Sequence, residues 1–464
     1  LIDKTTFAKT PKTMKKLIHL LVTIIALVWL HPTTAQTAAY TVIANPGENA
    51  SSEIRLNWHT DLGSGDSYIT YTKATDKNWR KAVTAQADQT ICTVFDSIYS
   101  KRPNNDDFYE DAQFIRNTIA LQGLKAGTEY KYKLSSEKTP SHCDSEIRYF
   151  KTAPKSDQWT MGIISDIHVY APLPNRQKAA MQMMQQLEKQ NKKSFDMMLH
   201  VGDLSAWGGS YSFWPTLYAD STFSNYVWAG VNGNHDDMTR QHKQSNEFFR
   251  NVNNNPLNGY SGEIGVCYHF TYGKTLFVML NNEAMKSDEG LAKAQNWTKK
   301  VIKNNPAKYV VVVSHYQWFM GNDGRSSQYS RWRELFDEYG VDLAISGNNH
   351  IYVRTNTVYA NKEADGSKGT VYIQTPSSDN ARGRSMDDLL HNKDLIKTRW
   401  TEGSKTVGAL IMKASKKHLT LTLYDRNGIS IDQVKVKSKS KKNLKALEKT
   451  DSTTSSSCVE TGWF

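Results

Sequence analysis

Between Tyr40 and about Pro154, apolar and polar positions alternate in short runs separated by turn residues. Ile54 to Trp58, Tyr68 to Tyr71, Phe114 to Leu121, Tyr130 to Leu134 and Ile147 to Phe150 each read as a half-buried strand. Strands of this length in series predict an all-β sandwich with Trp58 in its core. The segment Tyr99 to Asp111, rich in Asn and Asp, reads as an exposed loop.

From Trp159 onward the pattern becomes strand followed by helix. Met161 to Ser165, Phe195 to Val201, Tyr226 to Val231, Thr275 to Leu280, Tyr309 to Val313, Val341 to Ile345 and Val371 to Gln374 are apolar enough for buried strands. Helical spacing falls near 176–190, 288–303 and 330–339, which predicts a layered α/β fold. Gly408 to Ala414, Leu419 to Tyr424 and Ile429 to Val436 close the pattern as further strands, and no internal repeat is present. The expected organisation is a leader over 1–35, a sandwich over 37–154, an α/β domain over 159–436 and a Lys/Ser-rich tail over 437–464.

Composition adds that 464 residues at 39% hydrophobic and 22% charged, with 12 Trp and 23 Tyr, are enough for real cores. The net charge of +12 is mostly terminal: residues 1–35 carry +4, residues 434–449 carry +6, residues 450–464 carry −2, and 36–433 only +4. A nearly neutral body argues against nucleic acid as a partner. Met14, Lys15 and Lys16, the apolar run Leu17 to Leu30 and the stretch Pro32 to Gln36 have the three-part form of a secretory signal. The start is expected at Met14, cleavage near Ala35, and the destination outside the cytoplasm, periplasmic or extracellular. The apolar run is shorter than the ~20 residues that span a bilayer, so no stable membrane insertion is expected after cleavage. Export would permit a disulfide, for which Cys92 and Cys143 are candidates, while Cys267 and Cys458 have no assignment.

Residues of metal-ligand type follow nearly every strand expected in the α/β part. Asp166-Ile167-His168 follows the first, Gly202-Asp203 the second and Gly233-Asn234-His235-Asp236 the third; Ser314-His315 and Gly347-Asn348-Asn349-His350 follow later ones. In open α/β sheets the binding crevice lies at strand C-termini. Carboxylate, imidazole and amide oxygen together suit Mn, Fe or Zn, and the lack of a CxxC pair argues against a thiolate cluster. Two such ions about 3.5–4 Å apart could share a carboxylate, hold a phosphoryl oxygen and generate a hydroxide nucleophile near neutral pH.

The ordered set DxH, GD, GNHD, a lone His and a final GxxH resembles the calcineurin-like metallophosphoesterases, and with a leading sandwich the purple acid phosphatases among them. Leu124 to Tyr130 resembles the tyrosine-corner segment of fibronectin type III domains, and Phe150 to Pro154 the strand leading into the catalytic domain of purple acid phosphatases. The resemblance implies a four-layer β-sandwich flanked by helices, preceded by a fibronectin type III or immunoglobulin-like sandwich. It implies two metal ions and a small phosphate ester as substrate. Asp166, His168 and His350 would hold the first metal, Asp203 would bridge, and Asn234 and His315 would hold the second. Asn234 and His235 would contact the substrate phosphate, His235 would protonate the leaving group, and Asp236 would orient it. Arg354 stands where a substrate contact or a loop support is expected, and Trp207, Tyr211, Phe213 and Trp214 where the mouth of the site or ordinary core is expected. His142, His242, His269 and His391 belong to no motif and are assigned to structure or surface.

Two departures matter. Asn348 stands where the family's GHxH motif has a His ligand of the second metal, and amide oxygen binds borderline metals less well than imidazole. Ala206 stands where the ferric-tyrosinate ligand of purple acid phosphatases would fall, so no purple chromophore is expected. The leading expectation is a phosphomonoesterase using a metal-activated hydroxide. Its rivals are a phosphodiesterase or nucleotidase of the same family, including one acting on nucleic acid through the Lys-rich tail, and an exported binding protein whose second metal site is damaged at Asn348. The oligomeric state is not legible in the sequence.

Overall fold

Each of the first strands turns one face inward, and two four-stranded sheets result. The computed structural model describes residues 39–97, 109–136, 146–238, 247–320, 328–381, 383 and 385–438. Eight strands come first: β1 (Tyr40–Pro46), β2 (Ile54–Thr60), β3 (Tyr68–Lys73), β4 (Val83–Gln86), β5 (Asp88–Ser97), β6 (Tyr109–Leu121), β7 (Glu129–Ser135) and β8 (Arg148–Lys151). They pair as β1-β2-β6-β5 and β4-β3-β7-β8. Ile54, Leu56 and Trp58 meet Ile69, Tyr130, Tyr132, Leu134 and Phe150 in one buried cluster between the sheets. The Lys125 amide donates to the Tyr130 hydroxyl at 2.9 Å, the bond that defines a tyrosine corner. Alternation does not announce β1 or β4. Six of the seven residues of β1 are buried, because it is covered on both sides, whereas β4 is a largely exposed edge.

The next part contains β9 (Trp159–Ile164), α1 (Asn175–Asn191), β10 (Met197–His200), β11 (Trp228–Gly230), β12 (Tyr268–Tyr272), β13 (Thr275–Met279), α2 (Asp288–Asn304), β14 (Tyr309–Val313), α3 (Tyr329–Tyr339) and β15 (Leu343–Ser346). It ends with β16 (Tyr352–Tyr359), β17 (Lys362–Glu363), β18 (Thr370–Gln374), β19 (Ile396–Trp400), β20 (Gly408–Ala414), β21 (His418–Asp425) and β22 (Ser430–Lys437). One sheet runs β11-β10-β9-β20-β21-β22, and the other β12-β13-β14-β15-β18-β16-β17 with β19 on β16. The two-residue period of these strands sorts their side chains into layers. Phe277, Met279, Val311, Val313, Leu343 and Ile345 face Met161, Ile163, Leu199, Val201, Leu410 and Met412 across the middle. Their neighbours Leu276, Val278, Val310, Val312 and Ala344 pack on Trp297 and Val301 of α2 and Trp332 and Phe336 of α3. Ile164, Met198 and Ile411 pack on Ala180, Met181, Met184 and Leu187 of α1. At about 1.5–3 kcal/mol per fully buried side chain, these three interfaces fix a helix–sheet–sheet–helix stack.

Arg354 belongs to this stack. Its guanidinium pairs with Asp432 at both ends, Nε to Oδ2 at 2.5 Å and Nη2 to Oδ1 at 3.0 Å, and Nη2 also donates to Thr398 at 2.8 Å. β16 and β22 lie in different sheets, so the pair clamps one sheet to the other. The expectation of a substrate contact at Arg354 is therefore corrected, because Asp432, 78 residues away, engages the fork that a phosphate would need.

The sandwich and the layers pack as one compact unit. Arg55 Nε donates to the Asn254 carbonyl at 3.0 Å, and Arg116 donates to the Asn251 and Asn253 carbonyls at 3.0 and 2.7 Å. His59 is fully buried there. Its Nε2 faces the Asn251 carbonyl at 2.9 Å, which only accepts, so Nε2 carries the proton and Nδ1 accepts from the Tyr211 hydroxyl at 2.8 Å. The tail beyond 438, the leader and Cys143, Cys458, His142 and His242 lie outside the described residues. Cys92 and Cys267 are buried and unbridged among the described residues. No helix among them is long and apolar enough to cross a membrane.

Two tests follow from these packing devices. Arg354→Met should lower stability by about 3 kcal/mol in urea denaturation, because it strands a largely buried Asp432, and should leave bound metal unchanged. A loss of metal would return Arg354 to the site. Burial pushes the His59 pKa down from 6.5 to about 3, so the unfolded chain binds the proton more readily and stability falls as pH drops below 6.5 towards 3. His59→Gln should therefore be less stable than the parent at pH 7.5. The gap should narrow by about 2–3 kcal/mol at pH 4.5, and parallel pH curves would remove His59 from acid sensitivity.

Candidate metal centre

Parallel pairing of β9, β10 and β11, and of β13, β14, β15 and β18, brings the C-terminal ends of each set to one edge. The loops beyond these ends carry the candidate ligands. Five of them, Asp166, His168, Asp203, Asn348 and His350, have φ between 46° and 73°. Non-glycine residues in this left-handed region cost about 1–2 kcal/mol each, and such strain collects at functional sites. Close approach demands glycine beside them. A Cβ on Gly202, itself at φ 90°, would lie 2.5 Å from His315 Nδ1, and one on Gly347 would lie 2.7 Å from Asp166 Oδ2.

The loops bring together Asp166, His168 and His350; Asp166, Asp203 and His315; and His168, Asp203 and His235, each set with ligand atoms within 4.8 Å of one another. Asp203 is common to two sets. Its Oδ2 lies 3.3 Å from His315 Nε2 and 3.6 Å from His168 Nε2. His350 Nε2 lies 3.6 Å from Asp166 Oδ1 and 3.0 Å from His168 Nε2. Three imidazoles are oriented from behind by backbone carbonyls: His315 Nδ1 on Val201 at 2.6 Å, His235 Nδ1 on Ala206 at 2.8 Å, and His350 Nδ1 on Asn380. A carbonyl only accepts, so each Nδ1 carries a proton and each Nε2 is presented to the site, the tautomer a metal ligand needs.

The donor set fits a cation. Asp166 and Asp203 are buried, His315 Nε2 faces Asp203 Oδ2 and His350 Nε2 faces His168 Nε2. The Asn234 Oδ1 atom is buried and accepts no hydrogen bond. Burial, reinforced by the Asp203 charge, pushes Asp166 up to about 7 against the opposing pull of His315. Burial works against charge on Asp203 too, but His315 beside it and the other imidazoles outweigh it and hold the carboxyl well below the usual range. Asp203 in turn, with Asp166, raises His315 to about 10 despite burial, and burial drives His168 well below 6.5. Protons thus gather where positive charge is required, and a cation would replace them.

One expected contact is absent among the described residues. Asp236 makes no hydrogen bond to the His235 ring; its carboxylate accepts from the Asp203, Gly233 and Ser205 amides at 2.8, 3.0 and 2.9 Å and ties the second and third loops together. It positions backbone instead. Of the four aromatics expected at the mouth or in ordinary core, Trp207 lies against His235 with ring centroids 5.1 Å apart, while Tyr211, Phe213 and Trp214 are buried core. Asn348 stays with the centre: its amide donates to Asp166 Oδ1 and Oδ2 at 3.1 and 3.2 Å, and its Nδ2 donates to Gln317 Oε1 at 2.5 Å. The orienting carbonyls of Val201, Ala206 and Asn380 have no side-chain signal in the sequence, and Gln317 stands two residues past His315 without belonging to any motif. His269 is buried away from the centre beside Trp297.

Comparison with known proteins agrees with this geometry. The profile of the calcineurin-like phosphoesterases matches residues 160–352, and that of the purple acid phosphatase N-terminal domain matches residues 40–152. Purple acid phosphatase 15 of Arabidopsis thaliana is 22% identical over 311 residues, 60% of this chain and 56% of that protein. Purple acid phosphatase 22 of the same plant is 22% identical over 361 residues, 71% of this chain and 75% of the relative. The chain therefore spans little more than half the length of the first relative. The solved structure of purple acid phosphatase PPD1 from yellow lupin (Lupinus luteus) seeds superposes with a TM-score of 0.64 at 16% identity, covering 92% of this chain and 78% of that one. With both profiles matched in order, residues 40–152 form a purple acid phosphatase N-terminal domain and residues 160–352 a calcineurin-like phosphoesterase domain, on a fold shared with the lupin protein.

Proposed function

We propose that this protein is a metal-dependent hydrolase of phosphate esters, an acid-phosphatase-like phosphomonoesterase with a dinuclear centre. The observation that carries the reading is the overlap of donor sets at Asp203, a buried carboxylate whose Oδ2 lies within 3.6 Å of both His168 Nε2 and His315 Nε2. Asp166, His168 and His350 would hold one ion, His315, Asn234 and Asn348 the other, with Asp203 between them. Ions bound here, Mn, Fe or Zn by donor type, would polarise the phosphoryl oxygens and lower the pKa of water for attack on phosphorus.

The chain's own residues supply the rest. His235 turns Nε2 outward because Nδ1–H is fixed on Ala206, and its backbone amide is held by Asp203 Oδ1 at 2.8 Å. With Nε2 protonated as well, the imidazolium would be placed to bind a phosphate oxygen and to give that proton to the departing alkoxide. Trp207 walls the same side. Monoesters are favoured over diesters by the likeness to purple acid phosphatases. The segment Met14 to Gln36 supports export.

Protein stripped of metal should be inactive on an aryl phosphate monoester and regain turnover with Mn, Fe or Zn. Asp203→Asn should lower kcat/KM at least ~100-fold, about 3 kcal/mol of transition-state stabilisation. Failure of every metal to restore turnover on monoester and diester alike would favour the binding-protein reading, for which the Asn348 replacement is the observation. His235→Asn should separate leaving groups. An alkyl phosphate, which needs the proton, should lose about 10²–10⁴-fold in kcat, and an activated aryl phosphate far less. Equal losses would deny His235 the acid role.

A further inference from the structure

On the two-metal reading just given, we infer that Gln317 is a positioning residue that sets the Asn348 amide with its oxygen towards the second metal, making that position an oxygen-rich site for a harder ion. A carboxamide has one ligating end and one donating end, and only its oxygen can hold a cation. Which end faces the centre is decided from behind. Gln317 Oε1 lies 2.5 Å from Asn348 Nδ2; with Gln317 in this orientation, turning the Asn348 amide over would set two acceptor oxygens against each other.

The segment that carries this partner is held. Gln317 is only 3% exposed, and its backbone carbonyl accepts the Gln328 backbone amide at 3.0 Å. The two residues before it are pinned by one buried side chain: Asn282 Oδ1 accepts the His315 and Tyr316 amides at 2.6 and 2.7 Å. The Gly347 amide donates to the His315 carbonyl at 2.8 Å, so the His315 and Asn348 loops are stitched together. At Asn348 the backbone is held by the Asp166 carboxylate in a left-handed turn at φ 73°. Backbone and side chain of Asn348 are thus each fastened to a different part of the centre.

The consequence is an asymmetric pair of positions. Asp166, Asp203, His168 and His350 offer two carboxylates and two imidazoles to the first ion. Asp203, Asn234, Asn348 and His315 offer three oxygens and one nitrogen to the second. Oxygen donors shift preference from Zn²⁺ towards Mn²⁺ and Mg²⁺. The exchange of imidazole for amide at 348 is then a change of metal preference that Gln317 makes workable.

The test uses the full chain, stripped of metal and titrated with Mn²⁺ and with Zn²⁺, counting ions per chain by elemental analysis and following Mn²⁺ by electron paramagnetic resonance. The parent should bind two ions, the second with the higher Mn²⁺ to Zn²⁺ preference. Gln317→Leu should weaken the second ion about 10–100-fold while keeping the first, which also reports that the variant has folded. Gln317→Glu, which still accepts from Nδ2, should restore it. In Asn348→His, where imidazole needs no amide partner, the second position should turn to Zn²⁺ and become indifferent to Gln317→Leu. Parent-like binding and preference in Gln317→Leu overturns the inference while leaving two metals standing. So does failure of Gln317→Glu to hold the second ion when the first is retained, the deciding result should Gln317→Leu shed both. A parent that binds only one ion overturns the two-metal reading and this inference with it.

Discussion

Two carboxylates and a group of imidazoles are buried together at the joint edge of two sheets, and the structure around them is organised by the need to compensate that charge. Removing a charge from water costs several kcal/mol unless it is paired and hydrogen-bonded. Asp203 finds an imidazolium in His315, while Asp166 is left to sit near neutrality. Such a cluster is poor as a core and good as a cation trap. The left-handed backbone at Asp166, His168, Asp203, Asn348 and His350 adds a further cost, which only the three packed interfaces of the layers can offset.

The scaffold meets this constraint with backbone more than with side chains. Carbonyls of Val201, Ala206 and Asn380 choose the tautomers of His315, His235 and His350, and three amides converge on Asp236. One of these partners comes directly from a strand end. Residue 201 is the first past β10, so its carbonyl still lies in register with the sheet while the chain has begun to turn. A rigid strand end thus supplies what a mobile side chain would have to be ordered to give.

This explains what the sequence could reveal. Metal-ligand types after apolar runs are visible as text, and Asp166, His168, Asp203, His235, His315 and His350 are indeed gathered in space. The buried strands β9, β10, β13, β14 and β15 were legible for the same reason, being apolar runs of strand length. Strand β12, with the sequence Tyr-His-Phe-Thr-Tyr, alternates with Tyr268, Phe270 and Tyr272 on one buried face, and it went unread despite that alternation. Strand β16 holds Arg354, whose partner Asp432 is remote in sequence, so substrate contact and loop support stood as equal readings until the fold showed its neighbour. Gln317 and the carbonyls were illegible because their roles exist only after two loops meet.

The loop beyond Asp203 shows why a β-sandwich belongs to this centre. It begins at a shared ligand, passes Ala206, whose carbonyl sets His235, and Trp207, which lies against it, and its Gly208 amide donates to the His235 carbonyl at 2.8 Å. Three residues on, Tyr211 leaves the centre altogether. Its ring stacks on Phe114 of the sandwich at 4.4 Å and 7°, its hydroxyl meets His59, and its amide donates to the Phe95 carbonyl at 3.2 Å. Ser212 continues the seam by donating its amide to Asp96 Oδ1 at 3.0 Å. The segment that orients His235 is therefore anchored at one end in the metal shell and at the other in β5 and β6. Without the sandwich that outer end would lose the Phe114 stack and the bonds to His59, Phe95 and Asp96, and a geometry that tolerates errors of well under an ångström would rest on a looser loop. The sandwich acts as a brace for the His235 side of the site.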